Sequence, residues 1–335
     1  MLNWGILGTA KIAEERLVPA MRRLRHPVRA VASRSGDRAS AFARKHGIDR
    51  AHDNYEALLA DSSVTAVYIP LPHVQHVPYA IRALEAGKHV LVEKPVALDA
   101  ESLMALQAAS EAHPDLFVME AFMYRFHPQW RAVQAILAAG EIGPVTGING
   151  YFTYFKEDPS NIRFQPELGA GVFWDIGAYL VDSTLRLMGQ EPSRIVADRQ
   201  LHPDIPMDVG LACVLTFDGG LASLHASMRS ERSQRLHIMG ERGQVEIMEP
   251  FNQINAQSDI HIRLKNGAGR ALTYSRGNAY VDMLRAFAAA VEAGQSSAPT
   301  LADSLRTTRV LERIQQAASA PGVVEGGENG HLKTT

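Results

Sequence analysis

Four short stretches carry side chains whose types and spacing could do chemistry. Gly8-Thr9-Ala10-Lys11-Ile12-Ala13 has the spacing of a dinucleotide-cradling loop, G-x-G-x-x-G/A. Gly8 allows a tight turn, a small residue at position 10 lets the backbone approach a pyrophosphate, and Ala13 lets a helix lie close to the preceding strand. Ala10 departs from the usual second glycine, and its methyl narrows the approach. Next, Ser33, Arg34 and Arg38 put a hydroxyl and two guanidinium groups where an NAD-selective site carries an acid for the ribose 2′-hydroxyl. Guanidinium pairs bidentately with phosphate, so this tip suits the 2′-phosphate of NADP, with NAD as the alternative. Lys94 then follows an apolar run, at the strand end where open α/β sheets bind ligands. Finally, Asp175 and Tyr179 stand four apart and project from one helix face, which Asp182 continues. On spacing alone, the lysine reads more readily as a surface residue and the pair as an ordinary polar helix side.

The elements that must position these groups alternate in the first third. Apolar runs at 3–7, 28–33, 64–69, 89–92 and 116–120 read as strands. Helical patterns lie between them at 12–24, 38–46, 55–60, 77–86 and 100–112, with Gly87 placed to end one of them. Strands separated by helices argue for parallel βαβ units, and unbroken apolar runs suit strands covered on both faces. After a helix near 128–139 the pattern changes. Strands are expected at 145–155, 194–199, 211–217, 221–228, 235–240, 244–248 and 260–264, and helices at 173–188, 280–293 and 301–317. Asp218-Gly219-Gly220 and Glu241-Arg242-Gly243 read as hairpin turns. The expected architecture is α/β: an N-terminal Rossmann domain with a doubly wound parallel sheet (1–122), then a C-terminal α+β domain with a large open, mostly antiparallel sheet (123–320). Residues 321–335, Gly-rich and polar, are expected to be a flexible tail.

Composition narrows the function. The 335 residues are enough for two packed domains, and 46% are hydrophobic. A net charge of −2 leaves no basic excess for a nucleic-acid partner. The N-terminus lacks a secretory pattern, and no apolar stretch approaches the roughly 20 residues of a membrane span. With Cys213 as the only cysteine no intrachain disulfide can form, which fits a reducing cytoplasm. His202, His225, His237 and His261 show no metal-ligand spacing, so no metal is expected.

The most specific signal is AIRALEAGKHVLVEKP (80–95), ending in Glu93-Lys94-Pro95. Together with the Gly8–Ala13 loop, Pro72 and His76 before it, and Asp175-Ile176-Gly177-Ala178-Tyr179 after it, the sequence resembles the family of glucose–fructose oxidoreductase and inositol dehydrogenase. EAFMYRFHPQ (120–129) and Tyr179 are similar to the branch with D-xylose dehydrogenase and dimeric dihydrodiol dehydrogenase, where inositol dehydrogenase-like members carry a histidine at the place of Tyr179. The resemblance implies that Thr9, Lys11 and Ile12 bind the cofactor with the rest of the loop. It puts Lys94 beside the nicotinamide, and Leu71, Pro72, His76 and Glu93 along the cofactor cleft. His76 reads almost equally as the first residue of a helix. Arg125 reaches the nicotinamide end or belongs to a structural ion pair. Asp175 and Tyr179 face Lys94 across the cleft, and Asn161 and Arg163 contact substrate hydroxyls.

The implied activity is NADP-dependent hydride transfer at a carbinol or carbonyl carbon of a polyhydroxylated substrate, as in D-xylose oxidation. A keto-sugar reductase and a trans-dihydrodiol dehydrogenase are the enzyme alternatives, and a dinucleotide-sensing regulator is the non-catalytic one. Tyr179 is expected to move the proton. A free tyrosine has a pKa of about 10, and the Lys94 ammonium would lower it. The same ammonium would stabilise charge on the substrate oxygen, with Asp175 orienting substrate or lysine. A homo-oligomer, dimer or tetramer, is expected through the flat face of the second sheet.

Overall fold

Six strands form a parallel sheet, most of them apolar and buried on both faces: β1 (Trp4–Leu7), β2 (Val28–Ala32), β3 (Arg50–His52), β4 (Ala66–Ile69), β5 (His89–Val92) and β6 (Val118–Glu120), in the order β3-β2-β1-β4-β5-β6. The molecule is seen in a computed structural model that describes residues 2–252, 257–275, 277–294 and 299–319. The expected tail at 321–335 therefore lies outside the described residues. The strand order reverses between β1 and β4, which opens a crevice at their carboxyl ends. β1 leads through one π-helical turn (Ala13–Leu17) into α1 (Val18–Arg23). α2 (Gly36–His46), α3 (Tyr55–Leu59), α4 (His76–Glu85) and α5 (Ala100–Ala112) make the other crossovers. The Ser35, Asn54 and Asp99 side chains accept from the first turns of α2, α3 and α5, satisfying donors that a helix start leaves free. β3 escapes a reading from sequence because it is a three-residue edge strand, Arg50-Ala51-His52, with no apolar run.

After α6 (Pro128–Ala138) the chain builds an eight-stranded sheet from β7 (Val145–Phe155), β8 (Arg194–Leu201), β9 (Asp208–Phe217), β10 (Gly220–Ser227), β11 (Arg229–Gly240), β12 (Gly243–Ile247), β13 (Gln257–Leu264) and β14 (Gly269–Ser275). The order is β14-β13-β12-β11-β7-β10-β9-β8, antiparallel except where β7 runs parallel to β10. One face is covered by α7 (Ala178–Met188), which follows a second π-helical turn (Phe173–Gly177). Alternation along β7 turns Ile148, Gly150 and Phe152 to that covered face. Gly150 leaves room for its neighbours: a Cβ there would stand 2.8 Å from Leu236 and 3.1 Å from Leu180.

The last helices, α8 (Ala279–Ala293) and α9 (Leu301–Ser319), return to the first sheet. Phe287 of α8 packs against Trp4 and Phe117, with ring centroids 5.1 and 5.4 Å apart. From α9, Ser304 donates to Glu120 at 2.6 Å and Thr307 to Asp182 at 3.1 Å. The C-terminal segment thus bridges the two sheets and fixes the cleft between them. Among the described residues, no helix is long and apolar enough to cross a membrane.

Candidate active site

One end of the cleft is the loop after β1. Gly8 has φ +112°, in the region that favours glycine, and Leu71 would stand 3.2 Å from a Cβ there. The helix that follows starts at Lys11 with no side-chain cap, leaving main-chain N–H groups at the loop. Arg38 donates to the Thr9 hydroxyl at 3.3 Å, so the tip after β2 meets this loop. Ser33 is buried and accepts from the Ser35 N–H at 3.3 Å, while Arg34 is exposed beside it. Lys11 is exposed and pairs with Glu15 at 3.6 Å. Main-chain donors, a glycine turn and two guanidinium groups fit a dinucleotide that carries a further phosphate.

The next wall is built by β4, β5 and the turn after it. Tyr68 donates to Glu93 at 2.5 Å, and the Lys94 N–H donates to the same carboxylate at 3.3 Å. Burial raises the Glu93 pKa. His76 does not line the cleft. It is wholly buried, with Nδ1 2.8 Å from the Pro95 carbonyl and Nε2 2.7 Å from the Leu71 carbonyl, and so braces the 71–72 segment against the Lys94–Pro95 turn. The histidine that does border the cleft is His73, whose Nδ1 lies 2.8 Å from the Gly169 carbonyl of the loop after β7. Of the two readings open for His76, the structure has the second: it is the first residue of α4.

These buried histidines make stability depend on pH. Burial pushes His73 down to about 3 and His76 and His127 down to about 4. Between the ordinary histidine value and these values, the unfolded chain binds protons that the folded chain refuses, so stability falls as pH falls. Each unit of displacement is worth about 1.4 kcal/mol per group. The urea midpoint is expected to drop from pH 7 to pH 5, less steeply than the histidines alone would give, because the raised pKa values of the buried Glu93 and Glu120 favour the folded chain as pH falls. A midpoint that stays level or rises over that range would overturn this expectation.

The opposite wall is the π-helical turn and α7. Lys94 Nζ donates to the Asp175 main-chain oxygen at 2.5 Å and to Oδ1 at 3.1 Å. Arg163 Nε reaches Oδ2 at 2.6 Å, and the Tyr154 hydroxyl donates to it at 2.7 Å. Burial by itself would raise the Asp175 pKa, but the guanidinium and the ammonium outweigh it and hold the carboxyl well below the usual range. Asn161 accepts from the Arg163 N–H at 3.2 Å and so sets that arginine's turn. Tyr154 was not singled out from sequence. The signal available was its place on β7, at the same alternation as the buried Ile148 and Phe152.

The role expected of Tyr179 changes. The Lys94 ammonium lies 4.7 Å from the centre of the Tyr179 ring, over its face. The Tyr179 hydroxyl points away, 3.6 Å from the Met123 sulfur, within the rings of Phe122, Tyr124, Phe152 and Phe251. Burial raises its pKa instead of Lys94 lowering it. Of the two readings open for Arg125, the structure has the ion pair. Its side chain is 1% exposed and its Nε donates to Asp182 at 2.9 Å, with a second guanidinium nitrogen on the same carboxylate. Tyr124 and Thr307 also donate to Asp182, and Glu120 lies 3.9 Å from the guanidinium. Asp182, expected on the functional face, is therefore committed to this buried knot.

Between His73, Arg163, Leu168, Gly171 and Asp175 a cavity of about 40 Å³ remains. A wider hollow of about 600 Å³ lies on the other sheet's open face among His237, Glu246 and His261 and shares no residue with the cleft. Among the described residues, no three His, Cys, Asp or Glu side chains are grouped to hold a metal. What the cleft assembles is a fixed ammonium beside a dinucleotide loop, facing a carboxylate, a guanidinium and a phenol.

Comparison with known proteins agrees with this arrangement. Residues 2–121 match the model of an oxidoreductase family with an NAD-binding Rossmann fold, and residues 130–246 match the GFO/IDH/MocA C-terminal domain. The chain belongs to the GFO/IDH/MocA oxidoreductase family. Within the GFO/IDH/MocA family, it is 39% identical to an uncharacterized oxidoreductase of Rhizobium meliloti over 95% of this chain and 97% of that protein. It is 34% identical to an NADP-dependent D-xylose 1-dehydrogenase of Haloferax volcanii, over 97% of this chain and 99% of that one. Among solved structures, a 3-ketoreductase of Actinomadura kijaniata in complex with NADP and TDP-benzene superposes with a TM-score of 0.88 at 31% identity, covering 94% of this chain and 97% of that one. This GFO/IDH/MocA chain is therefore an oxidoreductase.

Proposed function

We propose that the protein is an NADP-dependent enzyme that moves a hydride between the nicotinamide and a carbinol or carbonyl carbon of a sugar, with Lys94 serving the oxygen on that carbon. The observation that carries this reading is the Lys94 ammonium, fixed by two oxygens of Asp175 at the carboxyl end of β5. NADP, when bound, supplies or accepts the hydride. Gly8, Thr9, Ala10, Lys11 and Ile12 would hold its diphosphate, and Ser33, Arg34 and Arg38 its 2′-phosphate. Leu71, Pro72 and Glu93 form the wall beside Lys94.

In the reducing direction, Lys94 donates its proton to the carbonyl oxygen as that oxygen gains negative charge; in the oxidising direction the neutral amine takes the hydroxyl proton back. Asp175 orients the ammonium. Tyr179 supports it with the face of its ring. Arg163 and Tyr154, with Asn161 setting the arginine, offer donors to further hydroxyls, which favours a polyhydroxylated substrate over a simple alcohol. The named activities of the relatives, D-xylose oxidation and 3-keto-sugar reduction, are the two sugar chemistries to try first. A purely sensing role needs neither the lysine nor its carboxylate.

A panel of aldoses, ketoses, cyclitols, trans-dihydrodiols and simple alcohols, each assayed with NADP(H) and NAD(H), tests the reading. Sugars are expected to dominate. Efficient turnover of isopropanol or cyclohexanol, or none across the panel, would overturn it. The cofactor half has its own variant. Ser33→Asp sets a carboxylate against the 2′-phosphate and should move the NADP-to-NAD ratio of kcat/KM toward NAD by roughly 100-fold, the scale of about 3 kcal/mol for an uncompensated charge. A wild type that prefers NAD, with a ratio Ser33→Asp leaves unmoved, would refute it.

The oligomer we propose is a homodimer through the open face of the eight-stranded sheet. Val196 and Val214 are direct cross-strand neighbours and 52% and 42% exposed, and Leu221 nearby is 53% exposed. Adjoining apolar side chains on a flat face mark an interaction surface. Sedimentation equilibrium is expected to show a dimer that Val214→Glu splits, and a monomeric wild type at tens of micromolar would sink this. The proposed compartment is the cytoplasm, whose reducing conditions suit a chain with one buried thiol, and cell fractionation checks it.

A further inference from the structure

The turn that carries Asp175 begins without a cap of its own. No side chain at its start accepts from it, so its first N–H groups need a partner from elsewhere. The partner comes from the sheet. Asp208, the first residue of β9, sets Oδ2 2.7 Å from the Phe173 N–H, and the Val172 N–H bonds to the same carboxylate. The fit is close: Gly171 has φ +118°, and a Cβ there would collide with Asp208 Oδ1. Two residues beyond Phe173, Asp175 presents both its main-chain oxygen and its carboxylate to Lys94. Asp208 makes no hydrogen bond or ion pair with Lys94.

We propose that Asp208 is a positioning residue: by anchoring the first N–H groups of this turn to β9, it sets where Asp175 stands and, through Asp175, where the Lys94 ammonium is held. The inference rests on the reading of Lys94 as the catalytic residue. Hydrogen bonds from main-chain N–H groups to a carboxylate are among the stronger ones, and a negative charge at a helix start is favoured by its dipole. The π-helical turn has no internal substitute for this anchor, so losing it moves Asp175 rather than merely loosening a surface. A displacement on the order of 1 Å at a reacting group costs roughly 100-fold in rate.

The test compares Asp208→Leu, which keeps the bulk and removes the acceptor, with Asp208→Asn, which keeps an acceptor oxygen, on the best-used sugar of the panel with NADP. Asp208→Leu is expected to lower kcat by about 10- to 100-fold, leave KM for NADP within about twofold, and shift the pH profile of kcat. Asp208→Asn should recover most of the loss. A role in stability alone would lower the melting temperature and leave the kcat and pH profile of the folded enzyme unchanged, and that result overturns the inference. So does a loss in Asp208→Leu that Asp208→Asn repeats in full. Should Asp208→Leu fail to fold, Gly171→Ala, which pushes the carboxylate off the turn, is read by the same criteria. Lys94→Met serves as the control. If it retains turnover, the catalytic reading fails; if it is inactive while the Asp208 and Gly171 variants behave as wild type, only this inference fails.

Discussion

Lys94→Met is expected to lower kcat by roughly two to four orders of magnitude, the scale for losing a positioned acid–base group, while Tyr179→Phe lowers it by no more than about tenfold. Methionine preserves the length and apolar stem of lysine and removes the proton and the charge. The structure separates the two residues. The ammonium is bonded to Asp175 and lies over the tyrosine ring, whereas the hydroxyl faces the Met123 sulfur inside an aromatic cluster. Phenylalanine keeps that ring face and its packing, so the support under Lys94 survives. Cofactor affinity should change little in either variant, since neither side chain belongs to the phosphate loop. Steady-state kinetics with NADP titration by fluorescence decides. Equal, large losses in both variants would restore the proton to Tyr179, and near wild-type turnover of Lys94→Met would remove the catalytic assignment.

Arg125→Met should destabilise the fold by about 3–5 kcal/mol, because it strands a buried carboxylate whose partner is gone. Asp182 is 1% exposed and takes donors from Arg125, Tyr124 and Thr307, joining the segment after β6, α7 and α9 at one point. Adding Asp182→Leu should recover part of the loss, since the uncompensated charge goes with it. Urea unfolding measures the three proteins. The same experiment separates structure from chemistry: the fraction of Arg125→Met that folds should bind NADP as the wild type does. Weakened NADP binding with unchanged stability would return Arg125 to the cofactor site.

Much of the frame was legible because it is periodic. The unbroken apolar strands and intervening helices of the first third have one economical packing, and the hairpin turns at Asp218–Gly220 and Glu241–Gly243 announced the second sheet. What escaped was short or lacked pattern. β3 has three residues, and β14 (GRALTYS) carries only two large apolar side chains. Of the candidate site, the proposed residues with one place to be, such as Gly8 and Lys94, were the most legible. The rest was less so where neighbours compete for a partner. Spacing put Asp175, Tyr179 and Asp182 on one face, yet only a packed interior shows that Asp182 belongs to Arg125 and that a tyrosine hydroxyl points away from the ammonium over its ring. Tyr154, His73 and Asp208 lie 21, 102 and 33 positions from Asp175 in sequence, and no local rule links them to it.

The Asp175 carboxylate enters every encounter already occupied. Lys94, Arg163 and Tyr154 use its oxygens, and a cavity of about 40 Å³ lies beside it. On the proposed reading, a sugar would arrive as a competitor in an exchange, with the protein's own arginine and tyrosine as the ligands to displace. Each hydroxyl is weighed against an internal bond of similar kind, so a molecule with one hydroxyl trades evenly at best, while one with several in the right array gains. Discrimination among substrates is then a difference between two sets of bonds, one of which the polypeptide carries with it.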